Sequence, residues 1–121
     1  MNKPIGYWAK RLDTLLDEAM DRELAAQGVS RREWQALNTL ATTGDDPVTA
    51  LAPFAGVDDA MAGLTARGWL AGAELTPAGR AAHEAISDRV RAFRWKAAEG
   101  LTPEEYATTV DVLRRMAANL A

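Results

Sequence analysis

Glycine punctuates this chain. Gly28, Gly44, Gly68 and Gly100 each follow a stretch whose apolar residues recur three and four positions apart. That spacing is the signature of a helix with one buried face, and a glycine just past the last periodic residue is its usual stop. A chain cut in this way folds as helices joined by short turns. In the first stretch Ile5, Trp8, Leu12, Leu15 or Leu16, and Ala19 share a face, while Lys10, Arg11, Asp13, Asp17, Asp21 and Arg22 fill the rest. The spacing predicts a helix from Ile5 to about Gln27.

The start signals agree with the stops. Ser30 and Glu33 form the pattern of a capping box, with Val29 placed to staple onto Trp34. Trp34, Leu37, Leu40 and Ala41 continue that helix's inward stripe. Asp46 before Pro47 opens a short helix, which Pro53 ends by removing a backbone donor. Val57, Ala60 or Met61, and Leu64 give the next buried face. Trp69 to Leu75 has room only for a stunted hairpin with a Gly-Ala centre. Thr76 and Pro77 begin a helix with the stripe Ala82, Ile86, Val90, Phe93 and Ala97. Leu101, Thr102, Pro103 and Glu105 begin the last one, which is expected to turn Tyr106, Val110, Leu113, Ala117 and Leu120 inward.

The 121 residues suit one mostly helical domain, long enough to bury about two-thirds of the unfolded surface without disulfide or metal. There is no cysteine and one histidine, His83. Thiolate metal sites, redox motifs and imidazole-based triads therefore lack raw material, and no metal or cofactor site and no catalytic set are expected. No apolar run approaches the roughly 20 residues of a membrane span, and Met1 to Gly6 lacks the apolar core of a signal peptide, so a cytoplasmic chain without a membrane partner is expected. Net charge is −3, from 14 Lys and Arg against 17 Asp and Glu. Any attraction to nucleic acid must then come from local patches.

The order of elements, with Arg67-Gly68-Trp69-Leu70 before the hairpin and Leu75-Thr76-Pro77-Ala78-Gly79-Arg80 after it, resembles the winged helix-turn-helix of MarR-type bacterial transcription regulators. The tail Val112-Leu113-Arg114-Arg115-Met116-Ala117 is also similar to that family. The resemblance spans essentially the whole chain. It implies one winged-helix domain over residues 1–121, with a DNA-reading lobe at about 30–76, a very short β-hairpin wing, and dimerisation helices at about 4–28 and 77–121. It also implies a homodimer that regulates transcription by binding double-stranded DNA, with small, often aromatic, ligands bound between the dimerisation helices and the lobe.

On that resemblance Arg31, Arg32, Asp58, Asp59, Thr65, Arg67 and Arg80 are the DNA-binding candidates, and Trp8, Trp34 and Trp69 the ligand-pocket candidates. The dimer-interface candidates are Ile5, Trp8, Leu12, Tyr106, Val110, Leu113, Met116 and Leu120. Several have plainer readings. Asp58 and Asp59 suit helix capping better than base reading. Arg67 either touches DNA or caps its own helix, Arg80, Arg91 and Arg94 suit a solvated salt-paired face, and the tryptophans suit a packed core.

The sequence also departs from the family pattern. Where that pattern presents basic and short polar groups to DNA, this chain has Ala55, Gly56, Asp58 and Asp59, and the wing shrinks to Ala71, Gly72, Ala73 and Glu74 without an arginine. From Asp45 to Gly79, Arg67 alone faces Asp45, Asp46, Asp58, Asp59 and Glu74. Phosphate contacts must then be borrowed from Arg31, Arg32 or Arg80. At about two to three per subunit, a dimer's affinity should fall with salt at a log-log slope near −4 to −5. The alternative is a winged-helix scaffold that has lost DNA reading and serves as a protein-interaction or ligand-sensing dimer.

Overall fold

A computed structural model describes residues 3–121 and divides them into two compact units, one reaching Arg91 and the other running from Ala92 to Ala121. The elements are α1 (Ile5–Ala26), α2 (Arg31–Thr42), α3 (Pro47–Ala50), α4 (Val57–Ala66), β1 (Leu70–Ala71), β2 (Glu74–Leu75), α5 (Pro77–Ala97) and α6 (Pro103–Leu120). The mostly helical winged arrangement and its very short hairpin stand as the sequence implies. Among the described residues no helix is long and apolar enough to cross a membrane.

Two helix ends show why glycine stands where it does. After α1, Gly28 takes φ 69°, its amide donates to the Ala25 carbonyl at 2.9 Å, and the Val29 amide donates to Leu24 at 3.0 Å. The same pair of bonds closes α4, from Gly68 (φ 79°) to Thr65 and from Trp69 to Leu64, both at 3.0 Å. Such a reversal needs a left-handed residue, and it turns the next apolar side chain back onto the helix just left. Leu24, Val29 and Leu64 are accordingly buried.

The starts follow the sequence equally well. Ser30 Oγ accepts from the Glu33 amide and Glu33 Oε1 accepts from the Ser30 amide, each at 3.0 Å, so the capping box of α2 is complete. Asp46 caps the single turn of α3 by accepting from the Val48 amide at 3.1 Å. Thr102 and Glu105 repeat the box on α6.

The core of the first unit forms where α2 lies along α4, its broadest contact, with α3 against both. Trp34, Ala36 and Leu37 of α2 are buried, as are Val57, Ala60 and Leu64 of α4. Each large apolar side chain enclosed in this way contributes roughly 1.5–3 kcal/mol. The hairpin pairs Leu70 with Leu75 and Ala71 with Glu74 in antiparallel register, and Leu70 roots it in the core. Thr76 ties the hairpin to α5. Its hydroxyl donates to the Gly68 carbonyl at 2.6 Å and accepts from the Gly79 amide at 3.0 Å. Gly79 is buried so tightly that a Cβ there would stand 2.1 Å from the Trp69 carbonyl oxygen. Ile86 and Val90 carry the α5 stripe into the core.

The terminal helices differ from this lobe. α1 buries only Leu24, and Ile5, Trp8, Leu12 and Leu15 on its apolar face are exposed. The expected inward packing of Tyr106, Val110, Leu113, Ala117 and Leu120 does not occur within the single chain, since α6 has no buried residue. In the unit from Ala92 to Ala121 no residue is buried. Trp95, off the α5 stripe, is 79% exposed.

Candidate nucleic-acid interface

The α3–α4 pair and the β1–β2 hairpin are the elements that a winged helix offers to DNA, so the charged groups around them decide what the surface can do. Three of the four candidate arginines are engaged inside the protein. Arg31 donates from Nε (3.0 Å) and Nη2 (2.6 Å) to Asp21 Oδ1, and lies 3.4 Å from Asp17, binding the start of α2 to α1. The hydrogen bond from Arg31 to Asp21 raises its already high pKa against the opposing effect of burial. A guanidinium tied to two carboxylates is a poor phosphate ligand.

Arg32 donates from Nε to the Ala55 carbonyl at 2.9 Å and from Nη1 to Gln35, and its guanidinium lies 4.6 Å from the Phe54 ring centroid. Arg67 does not take the capping role, one of its two sequence readings. Instead of capping its own helix it reaches back to α2 and the turn before it, 3.1 Å from Glu33 Oε2 and bonded to the Gly28 carbonyl. It also stands over the Trp69 ring at 5.1 Å. Burial pushes the Glu33 carboxyl up, but the hydrogen bonds from Ser30 and Arg67 outweigh it and hold the carboxyl below its ordinary value. Arg80 is exposed and has no ion-pair partner among the described residues.

The remaining candidates present little positive charge. Thr65 is exposed, with its hydroxyl turned back onto the Met61 carbonyl at 2.9 Å. Asp58 and Asp59 occupy the first turn of α4 and are exposed. Gly56 is the residue before α4 and no side chain caps it, so the two carboxylates complement the helix dipole without accepting a capping bond. With Val48, Ala52, Phe54 and Val57 they line a shallow depression of about 460 Å³.

The three tryptophans have separate surroundings. Trp34 is buried and stacks on His83, with centroids 5.4 Å apart and planes 12° apart. Trp69 is half-buried beside Arg67, and Trp8 is exposed with its edge against Tyr7. Among the described residues no two of these indoles stack on each other, and none lines the depression before α4. His83 is more than a plain helix residue. Its Nε2 lies 2.9 Å from Asn38 Oδ1, and burial, then Arg91, lower its pKa. Sequence reading missed Asn38, Gln35, Phe54 and the Ala55 carbonyl, whose roles arise only when α2 meets α4 and α5. Among the described residues no group of three or more histidines and carboxylates is placed to hold a metal.

Comparison of the whole structure with solved ones decides the fold. It superposes on the MarR family protein Rv2887 of Mycobacterium tuberculosis, solved in complex with DNA, with a TM-score of 0.77 and 22% identity, over 95% of this chain and 98% of that one. The fold is that of the MarR-type winged-helix regulators. MepR of Staphylococcus aureus, a transcription regulator of the multidrug efflux pump MepA, gives a TM-score of 0.78 at 18% identity, over 98% and 100% of the two chains. A MarR-family transcriptional regulator from Silicibacter pomeroyi gives 0.66 at 27% identity, over 96% and 89%. No protein-family model and no curated protein matches the sequence. In the MarR fold α3 and α4 are the helix-turn-helix and β1–β2 is the wing, here without an arginine.

Proposed function

We propose that this protein is a homodimeric transcription regulator that binds duplex DNA with α4 in the major groove and responds to a small ligand. The observation that carries the reading is the match over nearly the full length of both chains to Rv2887, a structure that contains DNA. The dimer is supported by the bare apolar faces of α1 and α6, with Ile5, Trp8, Leu12, Tyr106, Val110, Leu113, Met116 and Leu120 all exposed in the single chain. The ligand is supported by Rv2887 having also been solved with salicylic acid, at a TM-score of 0.63 and 18% identity over 95% and 97% of the two chains. A role on chromosomal DNA fits a cytoplasmic protein, and the reading assigns it no catalytic step.

With Arg31, Arg32 and Arg67 engaged internally, Arg80 is the candidate arginine left to meet phosphate on each copy. A dimer that neutralises about two phosphates through it has a log-log salt slope near −2, shallower than the sequence alone implies. Sequence preference then comes mainly from the fit of α4 and from DNA shape. Asp58 and Asp59 favour a second reading, a dimer that keeps the scaffold and takes a protein partner, because carboxylates on the leading turn of α4 repel phosphate.

Selection of bound duplexes from a random DNA pool at low and at moderate salt separates the two. Recovery of a pseudo-palindromic sequence supports the regulator. Failure at both salt concentrations overturns it in favour of the interaction module.

A further inference from the structure

The two ends of α4 are fixed by neighbouring residues of α2. Before its first turn, the Ala55 carbonyl accepts from Arg32 at 2.9 Å, and Phe54 lies under the same guanidinium. After its last turn, Arg67 meets Glu33 at 3.1 Å and the Gly28 carbonyl. Arg32 and Glu33 are consecutive in the first turn of α2, which the capping box already makes rigid. The middle of α4 lies equally close: a Cβ on Gly63 would stand 2.5 Å from Glu33 Oε2.

A guanidinium suits the task at the leading end. Its planar fork donates in two directions, to Ala55 and to Gln35, while its face stacks on Phe54, and a lysine ammonium cannot do all three. The depression beside α4 is lined by the segment that Arg32 holds, from Phe54 to Asp59. The loop contains Pro53 and Gly56 and no side chain caps α4, so Arg32 is the side chain whose hydrogen bond to Ala55 fixes the backbone just before the helix.

We propose that Arg32 is a positioning residue that sets where α4 begins, and hence which base edges it meets, and that it makes no phosphate contact. The proposal rests on the DNA-binding reading for its effect on sequence recognition. Its structural half stands without DNA.

Arg32→Lys and Arg32→Met are the test, each measured in the full chain two ways. Hydrogen exchange in the free protein reads the amides of Phe54 and Ala60, which bond to the Leu51 and Gly56 carbonyls at the two ends of the held segment. The clamp gives about tenfold faster exchange there in both variants, from loss of one charge-assisted hydrogen bond, with the amides of α2 and α5 unchanged. Exchange unchanged in the loop, or raised equally throughout the lobe, overturns it. Binding to the selected duplex against a scrambled one, over a range of salt, is the second readout. The clamp predicts that both variants lose preference for the selected duplex and keep the wild-type salt slope. A phosphate contact gives the reverse, with Arg32→Lys close to wild type and Arg32→Met losing about two units of slope in a dimer. If the wild type binds no duplex, the DNA-binding reading fails and the exchange measurement alone decides the clamp.

Discussion

The lobe from α2 to the wing and the two terminal helices treat their apolar and charged residues in opposite ways. In the lobe the apolar stripes of α2 and α4 close on each other, and Arg31, Arg32 and Arg67 find partners within the protein. On α1 and α6 the apolar stripes remain open, with Leu12 52% exposed and Leu113 39% exposed. The lobe closes a core within the single chain, and the ends leave their stripes open. On the proposed dimer, cohesion and assembly fall to different residues, and a substitution should disturb one without the other.

The largest effect is expected where the open stripes are covered. Leu12→Asp or Leu113→Asp costs almost nothing in a solvated face, yet in a dimer it buries an unpaired carboxylate at about 3–5 kcal/mol. Each variant should dissociate at concentrations where the wild type is dimeric, while its lobe keeps native hydrogen-exchange protection. A variant that stays dimeric would show that its stripe is not at the interface.

Gly79→Ala probes the lobe side. The added methyl meets the Trp69 carbonyl, a backbone atom that no rotamer change can move, and overpacking of this kind costs about 2–3 kcal/mol. The thermal midpoint should fall by several degrees and the wing should lose protection, with the dimer affinity of the remaining folded protein unchanged. A midpoint equal to wild type would mean that the close approach relaxes at no cost.

The smallest effect sharpens the comparison through pH. His83 joins α5 to Trp34 and Asn38 of α2, with Ser87 and Arg91 also near it, and its folded pKa lies below the ordinary 6.5. Its contribution to stability is whole above pH 6.5. As pH falls below that value the unfolded chain takes up the proton first, and the loss continues until the folded imidazole is protonated as well. The wild-type midpoint should therefore drop between pH 7.5 and 5.5 by more than that of His83→Gln. Equal drops would remove His83 as the cause.

Much of this fold is legible in the sequence because much of it is decided within four or five residues. The Ser30–Glu33 and Thr102–Glu105 boxes, the Asp46 cap and the glycine reversals are local geometry, and they stand where the residue pattern puts them. The candidate interface was less legible. Arg31 finds Asp21 at a separation of 10 residues, Arg32 finds Ala55 at 23, and Arg67 finds Gly28 at 39. Composition shows only that basic residues are scarce in the lobe, whereas the packing of α2 on α1 and on α4 determines that these three are occupied. The same reason hides the stacking of His83 on Trp34. The α6 stripe was legible as a stripe, but sequence periodicity does not distinguish a face covered by its own chain from one covered by a second copy.

Sedimentation equilibrium of the wild-type protein at micromolar concentration tests the contrast between lobe and ends most directly. The account predicts one species of twice the 13.1 kDa chain mass, with Leu113→Asp shifting it to the single-chain mass. A wild-type protein that sediments at the single-chain mass throughout that range would contradict it.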